Sequence, residues 1–382
     1  MNGVAEPLRV MLLVTGLDRG GAEMQVARLA LELRRRGCEG QVVSMLPPAA
    51  FVEELERGGV ELHSLGMRPG KPEPCGLWRF LKLLEASKPH VVHAHLFHAN
   101  LLARLARLIC PMPVLISTLH SLAESGRDSS RVGLRDGLYR FTDWLSDRTV
   151  SVSEAVAERH IASRAVSAGR SSVIPNGAQP DLFMRSPEAR SRTRAAMGLQ
   201  EEFAWLAVGR LMWKKDYATM LLAMARQPSG TLLIAGRGPD ERELRAQAES
   251  LKARVRFLGL REDVPDLMNA CDGFAMSSVV EGLPMVLIEA AMAGLPAVTT
   301  DAGGTREVVA DGETGFVVPA RNAEALSEAM QRLAAMPLED RQRMGDAARR
   351  IALRRFSISK VAAQWDGLYR ECLAVAERRL LP

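Results

Sequence analysis

The sequence is poor in aromatic residues, which make up 5% of its 382 positions, and it contains five scattered cysteines. An odd number of cysteines without a CxxC pair predicts neither a disulfide framework nor a zinc ribbon. No stretch approaches the roughly 20 apolar residues that a membrane-spanning helix requires. The apolar run Leu8–Val14 lacks the basic lead-in and the cleavage site of a signal peptide. We therefore expect a cytoplasmic protein that is at most peripheral to a membrane.

Charge and length narrow the possible classes further. Lys plus Arg number 50 and Asp plus Glu number 45, which gives a formal net charge of +5. Such a mild excess can help to hold an anionic ligand or bring the protein to the inner face of the cytoplasmic membrane, but it does not indicate nucleic-acid binding. Domains usually contain about 100–200 residues, so a chain of this length predicts two domains.

Short aliphatic runs alternate with amphipathic stretches along the chain, which is typical of βα units on a parallel sheet. The first series of predicted strands is Arg9–Val14, Gln41–Leu46, Val60–Leu65, His90–His95, Pro113–Leu119 and Arg148–Ser153. The second series is Phe203–Gly209, Thr231–Gly236, Val255–Gly259, Gly273–Ser278, Ala297–Asp301 and Phe316–Pro319. The pattern predicts an α/β protein with two doubly wound, Rossmann-like domains that face a cleft.

The domain limits follow from the turn residues and from the helical tail. We predict a first domain over residues 1–180 and a second domain over residues 181–357. The polar stretch Arg185–Arg194, which comes after a Pro-Asn-Gly turn, is predicted to be the hinge. Residues 358–382 have a helical pattern, and we expect this helix to complete the first domain, although the sequence also allows it to stay on the second.

The densest chemical signal lies between residues 271 and 309. A predicted strand there ends before the turn Glu281–Leu283, Pro284 begins a short helix, and Glu289 lies about a turn and a half into that helix. A strand-to-helix turn of this kind points backbone N–H groups out of the sheet, where they suit phosphates or hydroxyls. The two carboxylates can accept hydrogen bonds from sugar and ribose hydroxyls. The segment is therefore the primary candidate for a site that binds phosphates and hydroxyls.

The spacing Glu-x7-Glu, with EGLP at its start and GGxxE after it, resembles the retaining glycosyltransferases of family GT4, which have the GT-B fold and belong to the glycogen-synthase-like superfamily. Other segments that agree are Gly209–Leu211 followed by Lys215 (GRL-x3-K), Gly20–Glu23 (GGAE), His120 after the fifth predicted strand, and Val173–Gly177 (VIPNG). The carboxyl-terminal motifs are specific to the family, whereas the GGAE and His matches are weaker. Asp216 departs from the pattern, because the family commonly has Gly after its Lys.

The resemblance implies a role for each matched residue. It implies catalytic roles for His120, Arg210, Lys215 and Glu281. It implies donor-binding roles for Gly20, Gly21, Arg210, Lys215, Gly236, Arg261, Glu281, Gly282, Leu283, Pro284 and Glu289. Arg210 and Lys215 would neutralise the donor diphosphate, and His120 would contact the sugar. Two fixed cations can stabilise a departing nucleoside diphosphate without a metal, so we expect neither a metal nor a cofactor.

By the same resemblance, the protein would move a hexose or N-acetylhexosamine from a UDP- or GDP-sugar to a glycan, lipid-linked or polysaccharide acceptor. The usual setting of such enzymes is the biosynthesis of surface polysaccharide or lipopolysaccharide. Two alternatives are a nucleotide-sugar epimerase of the same fold and a non-catalytic protein that binds nucleotide sugars. The GRL-x3-K segment argues against an epimerase, and the presence of both cations and both carboxylates argues against a pure binder.

Two further clusters leave alternatives open. Four histidines lie in one predicted strand and its exit, namely His90, His93, His95 and His98. Alternation places His93 and His95 on one face, which allows a metal site, but no nearby Cys, Asp or Glu completes a ligand set. Four arginines flank a polar segment of the first domain, namely Arg127, Arg131, Arg135 and Arg140. They could meet a phosphate-bearing or membrane-borne acceptor, or simply belong to a polar loop and its helix.

Overall fold

The computed structural model describes residues 6–70, 73–122, 129–199 and 201–380. The chain divides into two compact units. Unit 1 consists of Met1–Gly177 and Ile358–Pro382, and unit 2 consists of Ala178–Ser357. The division after Gly177 lies three residues before the limit expected from the sequence, and the second crossing follows Ser357.

Unit 1 contains a parallel sheet, and the structure describes seven strands of it in the order β3-β2-β1-β4-β5-β6-β7. Its strands are β1 (Arg9–Val14), β2 (Glu39–Ser44), β3 (Glu61–Ser64), β4 (Val91–His95), β5 (Val114–Leu119), β6 (Arg148–Ser151) and β7 (Ser171–Val173). Its helices are α1 (Gly21–Arg35), α2 (Val52–Arg57), α3 (Pro74–Ser87), α4 (Phe97–Arg107), α5 (Ser129–Thr142) and α6 (Glu154–Ala162), with α14 (Ile358–Leu380) added from the chain's end. The central strands are buried on both faces, which explains their continuous aliphatic runs.

Unit 2 repeats this plan with six described parallel strands in the order β10-β9-β8-β11-β12-β13. Its strands are β8 (Ala204–Val208), β9 (Thr231–Ala235), β10 (Val255–Gly259), β11 (Gly273–Met276), β12 (Ala297–Thr300) and β13 (Gly315–Val318). Its helices are α7 (Pro187–Ala196), α8 (Tyr217–Ala225), α9 (Glu241–Ser250), α10 (Val264–Ala270), α11 (Met285–Met292), α12 (Ala323–Ala335) and α13 (Leu338–Arg355). The prediction of two doubly wound α/β domains is confirmed.

The last helix, α14, belongs to the hydrophobic core of unit 1. Val361, Trp365 and Tyr369 are buried in the cluster that also contains the inner residues of α1 and β1. These apolar residues recur at helical spacing, so one face of α14 covers the sheet. Within the described residues, no helix combines the length and the hydropathy needed to cross a bilayer.

Two local expectations differ from the structure. The stretch predicted as a hinge is largely helix α7, which packs on α10 inside unit 2. Arg190 donates to the Asn269 carbonyl oxygen at 3.0 Å and to Asp272 Oδ1 at 2.5 Å, so its polar side chain serves unit 2 rather than a linker. Strand β7 was not predicted, because it has three residues, two of them serines, at the edge of the sheet.

Candidate functional site

Each sheet has one point where the strand order reverses, and open α/β sheets bind ligands outside the carboxyl ends of the strands there. In unit 2 this switch point lies between β8 and β11. Gly209, Arg210 and Lys215 follow β8, and Glu281 follows β11. The topology therefore brings two separate sequence motifs to a single edge of one sheet.

Lys215 and Glu281 form an ion pair at this edge, with Lys215 Nζ 2.5 Å from Glu281 Oε1. Their side chains are 21% and 13% exposed, so water screens the pair only in part. The two loops are also joined through the backbone, because the Val279 N–H donates to the Lys214 carbonyl oxygen at 2.8 Å. The Ser277 hydroxyl donates to the Lys215 carbonyl oxygen, also at 2.8 Å. Lys215 is thus fixed by its backbone as well as by its charge.

Glycines set the backbone beneath these cations. Gly236 has φ +149°, and a Cβ there would lie 2.0 Å from the Gly209 carbonyl oxygen. A Cβ on Gly238 would lie 2.1 Å from the Leu211 carbonyl oxygen. The turn after β9 can therefore approach the turn after β8 only because both positions lack a side chain. This contact positions the backbone on either side of Arg210.

Tyr217 stabilises the turn after β8 from the core of unit 2. Its hydroxyl donates to the Gly209 carbonyl oxygen at 3.3 Å, and its ring is buried in the core of unit 2. Burial and then the nearby Glu281 carboxylate raise the pKa of Tyr217, so the phenol stays protonated at neutral pH. Tyr217 was not among the residues predicted from the sequence, although an aromatic residue immediately after the Lys-Asp turn is a visible signal.

Asp216, which departs from the family pattern, is compatible with the backbone conformation at its position. Its backbone has φ 45° and ψ 47°, the left-handed conformation that glycine adopts most easily. Aspartate tolerates this conformation better than most residues, and its carboxylate accepts from the Thr219 hydroxyl at 2.7 Å at the start of α8. The turn is therefore kept with Asp in the place of Gly.

The remaining predicted residues of unit 2 lie in three environments. Arg210 is exposed, and the described residues include no hydrogen-bond or ion-pair partner for its guanidinium. Arg261 follows β10 and is bound to Asp263, with Nε 2.7 Å from Oδ1, which raises the pKa of Arg261 and lowers that of Asp263. Gly282, Leu283 and Pro284 are buried ahead of α11, where Pro284 is the N-cap, and Glu289 is buried within that helix at 6% exposure.

Unit 1 has its switch point between β1 and β4. Gly20 is the N-cap of α1, after β1, and Gly21 is the first residue of that helix. His95 is the last residue of β4, and His120 follows the end of the adjacent strand β5. The predicted residues Gly20, Gly21 and His120 therefore all lie at the carboxyl edge of this sheet.

The histidines at this edge form a packed, hydrogen-bonded group. His95 Nδ1 lies 3.0 Å from His120 Nε2. The His93 and His95 rings are 3.9 Å apart between centroids. His93 is bonded through both nitrogens, to the Tyr369 hydroxyl at 2.7 Å and to the Thr118 hydroxyl at 2.6 Å. The pairing of His95 with His120 was not predicted from the sequence, because it depends on which strands are neighbours.

Burial keeps these imidazoles neutral. It lowers the pKa of His120 to about 4, and it lowers the pKa of His93 and His95 well below the ordinary value, with a further contribution from the neighbouring rings. Among the described residues, no group of three or more His, Cys, Asp or Glu is arranged to hold a metal ion. Since both nitrogens of His93 are already bonded, the metal interpretation of this cluster has no support from its geometry.

The predicted arginine cluster is only partly described. Arg127 and the side chain of Arg131 lie outside the described residues. Arg140 donates from Nη2 to the Ser163 carbonyl oxygen at 2.6 Å, at the end of α6. Arg135 lies over the Phe97 ring at 4.5 Å from its centroid. Both described arginines therefore contribute to packing around α5.

Comparison with known proteins defines the class. The chain matches the profile of Glycosyltransferase Family 4 over residues 19–182 and that of Glycosyl transferases group 1 over residues 190–351. The solved structure of Anabaena HepE in complex with UDP superposes with a TM-score of 0.84 at 23% identity, covering 95% of this chain and all of that one. Sucrose-phosphate synthase from Thermosynechococcus elongatus has a TM-score of 0.83 at 22% identity, covering 96% and 100%. The fold is that of the GT-B glycosyltransferases.

Several proteins related in sequence have names that state an enzymatic activity. Alpha-maltose-1-phosphate synthase of Mycolicibacterium smegmatis is 30% identical over 74% of this chain and 79% of its own length. D-inositol 3-phosphate glycosyltransferase of the same species is 29% identical over 82% and 80%. An Escherichia coli UDP-Gal:alpha-D-GlcNAc-diphosphoundecaprenol alpha-1,3-galactosyltransferase is 27% identical over 66% and 68%. The chain belongs to the GT4-type glycosyltransferases, and it is a transferase that uses a nucleotide sugar.

Proposed function

We propose that the protein is a retaining glycosyltransferase that moves a hexose or N-acetylhexosamine from a UDP-sugar to a lipid-linked or polysaccharide acceptor, with a GDP-sugar as the second candidate donor. The observation that carries this proposal is the charged group at the switch point of unit 2. Arg210 and Lys215 follow β8, and the Lys215 ammonium is already held by Glu281. A diphosphate needs such cations, and a sugar needs such a carboxylate.

The chemistry follows from those charges. As the glycosidic bond breaks, negative charge develops on the departing nucleoside diphosphate, and Arg210 and Lys215 stabilise it. Glu281 holds Lys215 in place before the donor binds and accepts hydrogen bonds from sugar hydroxyls afterwards. Glu289 accepts hydrogen bonds from the ribose, and His120 contacts the transferred sugar. Retention is proposed from the resemblance to family GT4, and since no described carboxylate is placed as an obvious nucleophile, we propose that the retaining transfer proceeds on one face of the sugar.

The choice of UDP rests on similar proteins. HepE has been solved with UDP and with UDP-glucose, and the Escherichia coli relative is named for UDP-Gal. The same relative is named for an acceptor linked to diphosphoundecaprenol, which supports a lipid-linked acceptor here. The neutralisation of the diphosphate by two side-chain cations supports a reaction that needs no metal.

Thermal unfolding with a panel of UDP-, GDP- and ADP-sugars tests the donor. A donor that binds the folded state raises the melting temperature, by an amount that grows with its concentration above Kd. We expect UDP-sugars to give the largest rise in melting temperature. In a turnover assay, the protein should release UDP slowly without an acceptor and faster with a lipid-linked acceptor. EDTA should leave both rates unchanged. Product with inverted configuration, or an epimerised free sugar nucleotide, would contradict the proposal.

We further propose that the protein works at the cytoplasmic face of a membrane, through an apolar surface on unit 1. We assign to this surface the exposed side chains of α4 and α5, two helices that contact each other, and of the residues that follow each helix: Leu105, Leu108, Ile109, Leu134, Leu138, Phe141 and Trp144. Phe141 is 80% exposed and Trp144 62% exposed, which is unusual for large apolar side chains. Arg135 and Arg140 lie on the same helix, whereas Asp136 is paired with Arg159. Aromatic and basic side chains together suit an anionic lipid surface.

Vesicle flotation tests this surface. The protein should float with vesicles that contain phosphatidylglycerol and much less with phosphatidylcholine alone. Replacing Phe141 and Trp144 by Ser should abolish flotation, because their burial among lipid chains drives binding. Leu338, which is 60% exposed on unit 2, provides the matched control, and Leu338→Ser should float like the parent. Equal flotation of both variants would refute the assignment of the surface.

A further inference from the structure

The neutral histidine pair of unit 1 has a hydrogen-bonding pattern that limits where its protons lie. β4 and β5 run side by side with His95 opposite Thr118, which brings His120 to the end of β5 beside the His95 ring. The 3.0 Å contact joins His95 Nδ1 to His120 Nε2. Two ring nitrogens of the pair, His95 Nε2 and His120 Nδ1, are buried without a hydrogen-bond partner in the described protein.

A neutral imidazole has one N–H and one bare nitrogen, so one proton lies between the two rings. If His120 donated this proton from Nε2, the N–H of His95 would be on Nε2, buried and without an acceptor. If His95 donates it from Nδ1, His95 Nε2 is a bare acceptor and the N–H without a partner lies on His120 Nδ1 instead. Each arrangement therefore leaves one buried N–H unpaired, but His95 is 1% exposed inside the sheet, whereas His120 is half-buried at the carboxyl edge, where a ligand can supply the acceptor. The second arrangement is therefore favoured, and it leaves the proton of His120 on Nδ1.

The surroundings hold His95 firmly enough for this role. The His93 ring packs 3.9 Å from His95 and 4.2 Å from the Trp365 ring of α14, between centroids. His93 cannot turn, because both of its nitrogens are hydrogen-bonded. Leu96, directly after His95, has φ 73° and ψ 159°, a strained conformation for a leucine that the surrounding structure must maintain. Such strain is concentrated at functional sites.

We propose that His95 is a positioning residue, which fixes the ring and the tautomer of His120 so that His120 offers its Nδ1–H as a hydrogen-bond donor to an oxygen of the bound sugar. This inference rests on the proposed function for its ligand, but the arrangement of protons is a property of the free protein. Helix α14 takes part through Trp365 and Tyr369, which hold His93 against His95.

Nitrogen-15 NMR of histidine-labelled protein at pH 7.5, without any donor, tests the arrangement directly. The His120 signals, assigned with the variant His120→Asn, should show a protonated Nδ1 and a bare Nε2. In His95→Phe, which keeps the ring and removes the hydrogen bond, His120 should shift to a mixture of tautomers. In His95→Asn, whose amide can donate in place of Nδ1–H, His120 should return to the parent form. A parent protein with Nε2 protonated, or a His95→Phe spectrum with unchanged His120 signals, would overturn the inference.

Kinetics then separate positioning from binding. We expect His95→Phe to lower kcat for transfer about tenfold, the effect of losing one hydrogen bond, with KM for the donor within about twofold. His95→Asn should recover to within about threefold of the parent. An equal loss in both variants would show that His95 serves packing alone. If the NMR result holds while no nucleotide sugar is turned over, the proposed function fails and the proton arrangement stands. If the protein turns over a nucleotide sugar while His120 carries its proton on Nε2, the inference is overturned and the proposed function stands.

Discussion

The two units share one topology, yet the chemistry at their switch points is opposite. In unit 1 the group at the edge of the sheet consists of neutral imidazoles, bonded to each other and to hydroxyls. In unit 2 it consists of charged side chains, with Lys215 paired to Glu281 and with Arg210 exposed after the same strand as Lys215. All seven histidines of the chain lie before Ala178, so unit 2 has none.

The difference in burial explains the difference in charge. Burying an ionised group without partners is expensive, so the imidazoles of unit 1 remain neutral as their pKa values fall. The pair in unit 2 keeps its charges because each partner stabilises the other and water still reaches both. The comparison teaches that the fold determines where a ligand site can lie, at the carboxyl edge of each sheet. The side chains at that edge determine whether the site suits a phosphate or a neutral hydroxyl.

The largest effect on stability should come from a methyl group placed beneath the charged site. We expect Gly236→Ala to destabilise unit 2 by about 2–4 kcal/mol, because the new Cβ would overlap the Gly209 carbonyl oxygen and occupy a backbone conformation that glycine favours. Urea unfolding measures this loss. Gly169→Ala, where a Cβ meets nothing within 4 Å, is the control and should change stability by less than about 0.5 kcal/mol. Equal values for the two variants would contradict the interlocked turns.

A smaller effect should follow from acidification, and it should affect unit 1 only. His120 has a folded pKa of about 4 against 6.5 in the unfolded chain, so the unfolded chain binds more protons between those values. Stability is therefore complete above about pH 6.5 and falls towards pH 4, with His120 alone contributing a cumulative loss that reaches on the order of 2–3 kcal/mol between pH 5 and pH 4. His93 and His95 act in the same direction. In unit 2, Asp263 has a lowered pKa and loses its contribution only below the ordinary carboxylate range.

Hydrogen exchange at pH 7 and pH 5, corrected for intrinsic rates, measures the two units separately. Peptides from β4 and β5 should lose protection at pH 5, whereas peptides from β8 and β11 should keep it. Equal losses in both units would show that the histidines are not the cause. A protein in which neither unit changes would show that the imidazoles titrate normally.

Much of this arrangement could be predicted from the sequence, because the local signals are strong. The strands are short, aliphatic and bounded by turn residues, and β1 and β10 have the predicted limits. The motif around Glu281 was recognisable since its Gly, Pro and Glu residues are neighbours in the chain. Strand β7 was missed because two serines and one valine carry no periodic signal.

What the sequence could not provide is the set of contacts between distant segments. The Lys215–Glu281 pair joins loops 66 residues apart, and the His93–Tyr369 hydrogen bond joins segments 276 residues apart. The first depends on strand order and the second on where α14 packs, and periodicity specifies neither. The hinge prediction was wrong for a related reason. The arginines of α7 hydrogen-bond to carbonyl groups and to Asp272 within unit 2, so their polarity does not indicate a solvent-exposed linker.

The affinity of UDP for four proteins, measured by calorimetry, tests the central claim that the charged group of unit 2 holds the diphosphate and the histidine group of unit 1 does not. The proteins are the parent, Lys215→Ala, its neighbour control Lys214→Ala, and His120→Asn. We expect Lys215→Ala to weaken binding at least about tenfold, which corresponds to about 1.4 kcal/mol, with the other two variants within about threefold of the parent. Unchanged affinity in Lys215→Ala, or an equal loss in His120→Asn, would contradict the account.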